Sequence, residues 1–328
     1  MEDGRRNRIL QIVTQLFLYE VIGFVLGLTF GSFLNVCISR IPKGESIIHP
    51  RSRCPQCGVT IRWYDNIPLL SWLLLRGRCR DCKKSIPWRY PLIELFIGIW
   101  FTIAATQIWT YWHIGLISMG DINYTASQSL FYTFDAFGLA ILGFLLIGLT
   151  VIDWQTLTLP DAFTLTGIAI GLFIVCTQAI FLGPTEDQVL LTKHSLHLTS
   201  PGGVTDHGNV FLTGPENLIF GRIAAIVGAA LILLIVRWLY KAIRHREGMG
   251  LGDVKLIAMI AAFLGFAPAI LALFIGVLLA TLYGILLVLR RKAAATTKLP
   301  FGSFLAAGGL IAALWGNTLI NSYLALFR

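Results

Sequence analysis

Runs of about twenty apolar residues dominate this chain, and that is the length at which a helix crosses a bilayer. The runs predict helices over roughly residues 16–38, 92–112, 131–152, 162–182, 218–242 and 301–326. The stretch 253–289 has room for two crossings only if the first is short and turns near Pro268, which makes eight helices in all. Gly23, Gly27 and Gly31 stand four apart on one face of the first run, a spacing that suits close packing against another helix. Pro160 keeps the polar turn 153–161 from merging two runs into one continuous helix. The expected fold is an all-α polytopic membrane protein of about eight transmembrane helices, with one small polar domain between the first and second. The boundaries implied are residues 1–38 for the external N-terminus and first helix, 39–90 for the polar domain, and 91–328 for the remaining membrane domain.

Composition agrees with the pattern. Of 328 residues 56% are hydrophobic and only 13% charged, against roughly a quarter charged in soluble proteins. A net charge of +9 suggests nucleic acid until the basic residues are placed. Twenty of the 26 Lys and Arg lie in 39–90, 237–255 and 290–301, loops that share one side with the turn 153–161. That side is therefore expected to be cytoplasmic, with the N-terminus outside despite Arg5, Arg6 and Arg8, and no nucleic-acid partner. The first apolar run, 9–38, is too long for a cleavable signal and ends in no small-residue cleavage site.

The candidate chemistry sits at the ends of the runs. Cys54-Pro-Gln-Cys57 and Cys79-Arg-Asp-Cys82, with 21 residues between them, have the spacing of a tetrahedral four-cysteine zinc site. A reducing cytoplasm disfavours disulfides there, and four thiolates leave no open coordination position, so the metal would be structural. About fifty residues make a poor core alone, and zinc would supply the missing folding energy. Cys37 and Cys176 lie within apolar runs and read as packing residues. The polar loop 183–217 carries His194, His197 and His207, read as a solvated loop rather than a metal site.

Gly248-Met-Gly250-Leu-Gly252-Asp253 places a carboxylate at the mouth of an apolar run, where an acid is costly and therefore a functional candidate. Asp153 is its counterpart, on the same side because two crossings separate them. Two neighbouring carboxylates that share a proton are the minimal parts of an aspartyl protease. Gly250 and Gly252 would let extended substrate backbone approach. Asp161 rivals Asp153 but also suits the N-cap of the following helix. Lys255 reads as a substrate-positioning or headgroup-facing cation, and Glu94 as a buried acid in need of a partner or a role. A proton-coupled transporter is disfavoured because both acids lie at one boundary and the hydropathy shows no inverted repeat. A scaffold that binds partners through the cysteine segment would not require the two acids.

Six stretches in order resemble the type IV leader peptidase family, the prepilin peptidases of bacterial inner membranes. They are Gly31-Ser-Phe-Leu-Asn through Arg40-Ile-Pro42, Trp63-Tyr-Asp65-Asn66-Ile-Pro68, Arg89-Tyr90-Pro91-Leu-Ile-Glu94, Asp153 with Pro160-Asp161, Gly250-Leu-Gly252-Asp253, and Pro300-Phe-Gly302. Presenilin-type proteases share the G-x-G-D element but not the cysteine knuckles. The resemblance implies cleavage of type IV prepilins and type II secretion pseudopilins after a glycine, at the cytoplasmic face of the inner membrane, with Asp153 and Asp253 catalytic. Members with the cysteine segment usually also methylate the new N-terminal residue, using S-adenosylmethionine, and Glu94 falls in the region linked to that step. The alternative it leaves is peptidase activity alone, with the cysteine domain structural.

Overall fold

The structure is a computed structural model that describes residues 2–117, 126–192, 215–245, 249–290 and 299–326. The described residues form nine α-helices: α1 (Glu2–Arg40), α2 (Leu70–Leu74), α3 (Arg89–Ile117), α4 (Ala126–Thr156), α5 (Asp161–Thr192), α6 (Pro215–Arg244), α7 (Leu251–Leu264), α8 (Phe266–Leu289) and α9 (Phe301–Ala325). Seven of them, all but α2 and α7, are long and apolar enough to cross a bilayer. With α7 they make the eight helices that the apolar runs predict.

Several helices run past their apolar stretches, α1 from Glu2 and α4 from Ala126 among them, and three further features differ from those expectations, each for a local reason. Asp153 belongs to the last turns of α4 rather than to the turn beyond it, because nothing breaks the helix before Leu157, which adopts φ 54°. The break between α7 and α8 falls at Gly265, with φ 88°, and not at Pro268. Pro268 stands instead in the first turn of α8, where a missing N–H costs nothing. Residues 183–192, expected in a loop, continue α5. His194, His197 and His207 lie outside the described residues.

Packing follows from small residues and from which helix is central. The Gly23/Gly27/Gly31 stripe does bring α1 against α3: a Cβ on these glycines would lie 2.6–2.7 Å from Ala105, the Ile97 carbonyl or the Glu94 backbone. α7 is 14 residues long, about 21 Å, yet it is the centre of the bundle, touching α4, α5, α6, α8 and α9. Asp253, Val254 and every residue from Leu256 to Ala262 are buried. The lipid-facing helices are the reverse, with α8 buried over little of its length. Cys37 packs into the core as read from the sequence, whereas Cys176 is exposed on α5 and corrects that reading.

Between α1 and α3 the polar segment forms two knuckles of the same build. In each, a residue before the first cysteine bridges antiparallel to one just past the second: Arg53 with Thr60, and Arg78 with Ser85. Each C-x-x-C turn is followed by a left-handed residue, Gly58 (φ 72°) and Lys83 (φ 58°). The cysteine amides close the hairpins, Cys54 N–H to the Val59 carbonyl and Cys79 N–H to that of Lys84, both 2.9 Å.

Candidate functional site

Two groups of polar residues meet at one end of the bundle. The first is the acid pair. Asp153, near the end of α4, and Asp253, in the first turn of α7, are both buried and close enough for their charges to interact. Asp253 accepts a 3.3 Å hydrogen bond from the Gly250 amide through Oδ2 and so completes the N-terminus of its own helix. Asp153 is held from α9: the Ser303 amide donates to its Oδ2 at 2.7 Å. The Ser303 hydroxyl stands 3.0 Å from the same oxygen and 2.9 Å from the Thr150 carbonyl, and its single proton serves one of them at a time. Both acids therefore have one fixed oxygen and one less engaged.

Leu159 seals this group. A Cβ on Gly252 would lie 2.9 Å from Leu159 Cβ, and one on Gly302 would lie 2.8 Å from Leu159 Cδ1 and 3.1 Å from Asp153 Oδ2. The close approach that Gly252 permits here is by Leu159 of the same chain. Gly250 lacks such a neighbour and serves through its amide. Asp161 and Lys255 meet each other, Lys255 Nζ to Asp161 Oδ1 at 2.6 Å, tying the start of α5 to the start of α7 on a partly exposed surface.

The second group is the cysteine segment. The Sγ atoms of Cys54, Cys57, Cys79 and Cys82 lie within 4.8 Å of one another, with Cys54 and Cys82 3.8 Å apart. A tetrahedral zinc with bonds of about 2.3 Å needs S···S separations near 3.8 Å, so the four thiols fit that ion. Arg80 of the second knuckle forks onto Asp65 at 2.6 to 3.1 Å and holds its carboxyl below the ordinary carboxylate range. A cavity of about 390 Å³ lies between the knuckles and the ends of α1 and α3, with Ser32, Tyr90 and Glu94 in its lining. Glu94 is buried and accepts the Leu69 amide at 2.8 Å, at a residue with φ 57°, while Asn35 of α1 donates to the nearby Tyr90 carbonyl at 3.1 Å. The buried acid thus has its partner: it docks the cysteine segment onto the membrane helices. Arg89 also lines the cavity and links the two groups, donating at 2.7 Å to Gln155, two residues beyond Asp153, while its buried Nε has no partner.

The sequence reading named Arg89 only as the start of the stretch leading to Glu94, and it missed Ser303 and an aromatic cluster of Trp154, Tyr283 and Phe304 beside Asp153, with centroids 5.3 to 6.1 Å apart. The only signal was position: Ser303 directly follows Pro300-Phe-Gly302, and Trp154 follows Asp153.

Residues 25–108 match the family described as Bacterial Peptidase A24 N-terminal domain, and residues 208–285 match the Type IV leader peptidase family. The chain is similar to a prepilin leader peptidase/N-methyltransferase of Stutzerimonas stutzeri, 31% identical over 94% of this chain and 95% of the relative. Proteins of the same name from Pseudomonas aeruginosa (30% identical, 92% and 91% covered) and Aeromonas hydrophila (30%, 95% and 96%) match comparably. This chain belongs to the type IV leader peptidase family. No solved structure matches it. The two matched regions cover the cysteine segment, Glu94 and Asp253 but not Asp153, so the pairing of Asp153 with Asp253 rests on the geometry above.

Proposed function

We propose that this protein cleaves the leader of type IV prepilins and pseudopilins after a glycine, at the cytoplasmic face of the inner membrane, and then methylates the new N-terminal residue. The observation that carries the peptidase half is the meeting of Asp153 and Asp253, 100 residues apart in the chain, at one end of the bundle. Two acids this close do not both ionise readily, so one takes a proton from the attacking water while its protonated partner polarises the scissile carbonyl. The pair titrates as a unit. Ser303 and Gly250 each hold one carboxylate oxygen, which fixes the orientation of both acids before substrate arrives. The basic loops on the same side support a cytoplasmic orientation, with the N-terminus outside.

For methyl transfer, the cavity between the knuckles and α3 has the size of a small-molecule site. It suits S-adenosylmethionine: Trp72 and Tyr90 offer faces for an adenine, and the unpartnered Arg89 Nε offers a donor to the methionine carboxylate. When bound, that donor supplies an electrophilic methyl group on a sulfonium. The chain's part is to hold it, exclude water, and present it beside the acid pair through the Arg89–Gln155 link. Zinc in the four cysteines would fix the cavity walls, since Cys54 and Cys79 are among them. This favours the bifunctional reading over a peptidase with an inert cysteine domain.

Incubating the purified protein with a prepilin and S-adenosylmethionine, read by intact mass, tests both halves. The expected product lacks the leader and gains about 14 Da, one methyl group. Asp153→Asn and Asp253→Asn are each expected to abolish cleavage while the protein still inserts and still methylates a pre-cut pilin. Normal cleavage by either variant removes that residue from the site.

A further inference from the structure

α7 stops short. Its length of about 21 Å is less than the roughly 30 Å of hydrocarbon, so the end opposite Asp253 lies inside the bilayer. A helix that ends there leaves last-turn carbonyls without amide partners, in a place where water does not serve them. One of these carbonyls is met by a charge: Arg222 Nη1 donates to the Phe263 carbonyl at 3.0 Å. Gly265 makes room for the guanidinium, since a Cβ there would lie 3.1 Å from Nη1, and its φ of 88° turns the chain into α8.

The depth agrees. Arg222 lies four residues into the apolar span of α6 that begins at Leu218, about 6 Å at 1.5 Å per residue, within the roughly 9 Å by which α7 falls short. At that position the guanidinium also faces the negative end of the α7 dipole. Asp135 of α4 is near enough for its charge to act on Arg222. α6 thus commits a charged side chain to the C-terminal end of α7. Charged side chains at this depth are costly and are retained where they do something.

We propose that Arg222 is a positioning residue for cleavage: by fastening the C-terminal end of α7 it sets where Asp253 meets Asp153 at the other end. The inference rests on the reading of those two acids as the catalytic pair. α7 is buried from Asp253 to Ala262 except at Lys255, so a shift at one end is passed to the other as movement of a rigid rod.

The test uses the full-length protein in proteoliposomes, with Arg222→Gln, Arg222→Lys and Gly265→Ala, and Asp253→Asn as reference. Arg222→Gln is expected to lower kcat for prepilin cleavage by about a hundredfold, the scale of a roughly 1 Å misplacement of a catalytic group. It should also move the pH–rate profile, because the separation of the acids sets their coupled titration. Methylation of a pre-cut pilin peptide should stay at the wild-type level, and Arg222→Lys should recover most of the cleavage. Gly265→Ala both crowds Arg222 and strains the turn at φ 88°, so it should lower cleavage as well; if Arg222→Gln does not insert, Arg222→Met, which keeps the stem without the donor, decides the matter. Wild-type cleavage by Arg222→Gln beside an inactive Asp253→Asn overturns this inference alone. Parallel loss of cleavage and methylation with an unmoved pH profile also overturns it, as a general loss of fold. Active Asp253→Asn overturns the acid-pair reading beneath it.

Discussion

The cysteine segment and α7 lie at the same end of the molecule and are built on opposite principles. Between Ile41 and Tyr90 only Cys54, Ser71 and Gly77 are buried, and the segment is shaped by two hairpin turns, one forked ion pair and four converging thiols. α7 buries nine of its 14 residues and is enclosed by five helices. One region has almost no core and depends on ligation; the other is nearly all core and depends on packing. The contrast assigns different vulnerabilities to two activities that share one chain. Methyl transfer should be lost with the metal, whereas cleavage should be lost when packing around the acids is disturbed.

Metal removal should give the largest effect. A structural zinc contributes on the order of 10–16 kcal/mol to a small domain, far more than the burial of three residues supplies. Chelation, or Cys54→Ser with Cys57→Ser, is expected to abolish methylation and to release amide-exchange protection throughout residues 52–86, with α7 amides unchanged. Hydrogen exchange read by mass spectrometry checks both regions in one experiment. Retained protection in the knuckles after metal loss would break the comparison, since it would mean that the segment has a core of its own.

Next in size is a packing lesion at the acids. Gly302→Ala places a methyl 2.8 Å from Leu159 Cδ1 and 3.1 Å from Asp153 Oδ2, so one of the two must move. Overpacking of this kind costs about 1–3 kcal/mol. Cleavage should fall at least tenfold, with methylation of a pre-cut pilin and zinc content both unchanged. Equal loss of the two activities would show that the regions are not separable as built.

How much of this was legible in the sequence differs between the same two regions. The cysteine spacing fixes a ligand set because the chemistry is local: two residues between the cysteines of each pair, and 21 between the pairs. Helix number and the glycine stripe were legible because length and period are one-dimensional. The environment of α7 was not. Ser303 reaches Asp153 across 150 residues, Lys255 reaches Asp161 across 94, and Arg222 reaches Phe263 across 41, and no pattern within a helix announces such partners. Cys176 shows a second limit: in a bilayer the solvent is itself apolar, so an apolar run does not say which of its faces turns inward.

The smallest effect is expected at Lys255–Asp161, and it sharpens the comparison because the pair is a surface contact on α7, whose other residues depend on packing. The ion pair is short, 2.6 Å, but the Asp161 side chain is 60% exposed and that of Lys255 35%. Pairs in that setting contribute about 0.2–1 kcal/mol and are screened by salt. Asp161→Asn or Lys255→Met should therefore change thermal stability only slightly and leave cleavage within about threefold, with the difference shrinking as salt is raised. Asp161 stands eight residues past Asp153, at the first position of α5, and was the sequence's rival for the catalytic role. If Asp161→Asn abolished cleavage as completely as Asp253→Asn, that rivalry would be decided the other way, and Asp153, held by Ser303, would become the structural acid of the three.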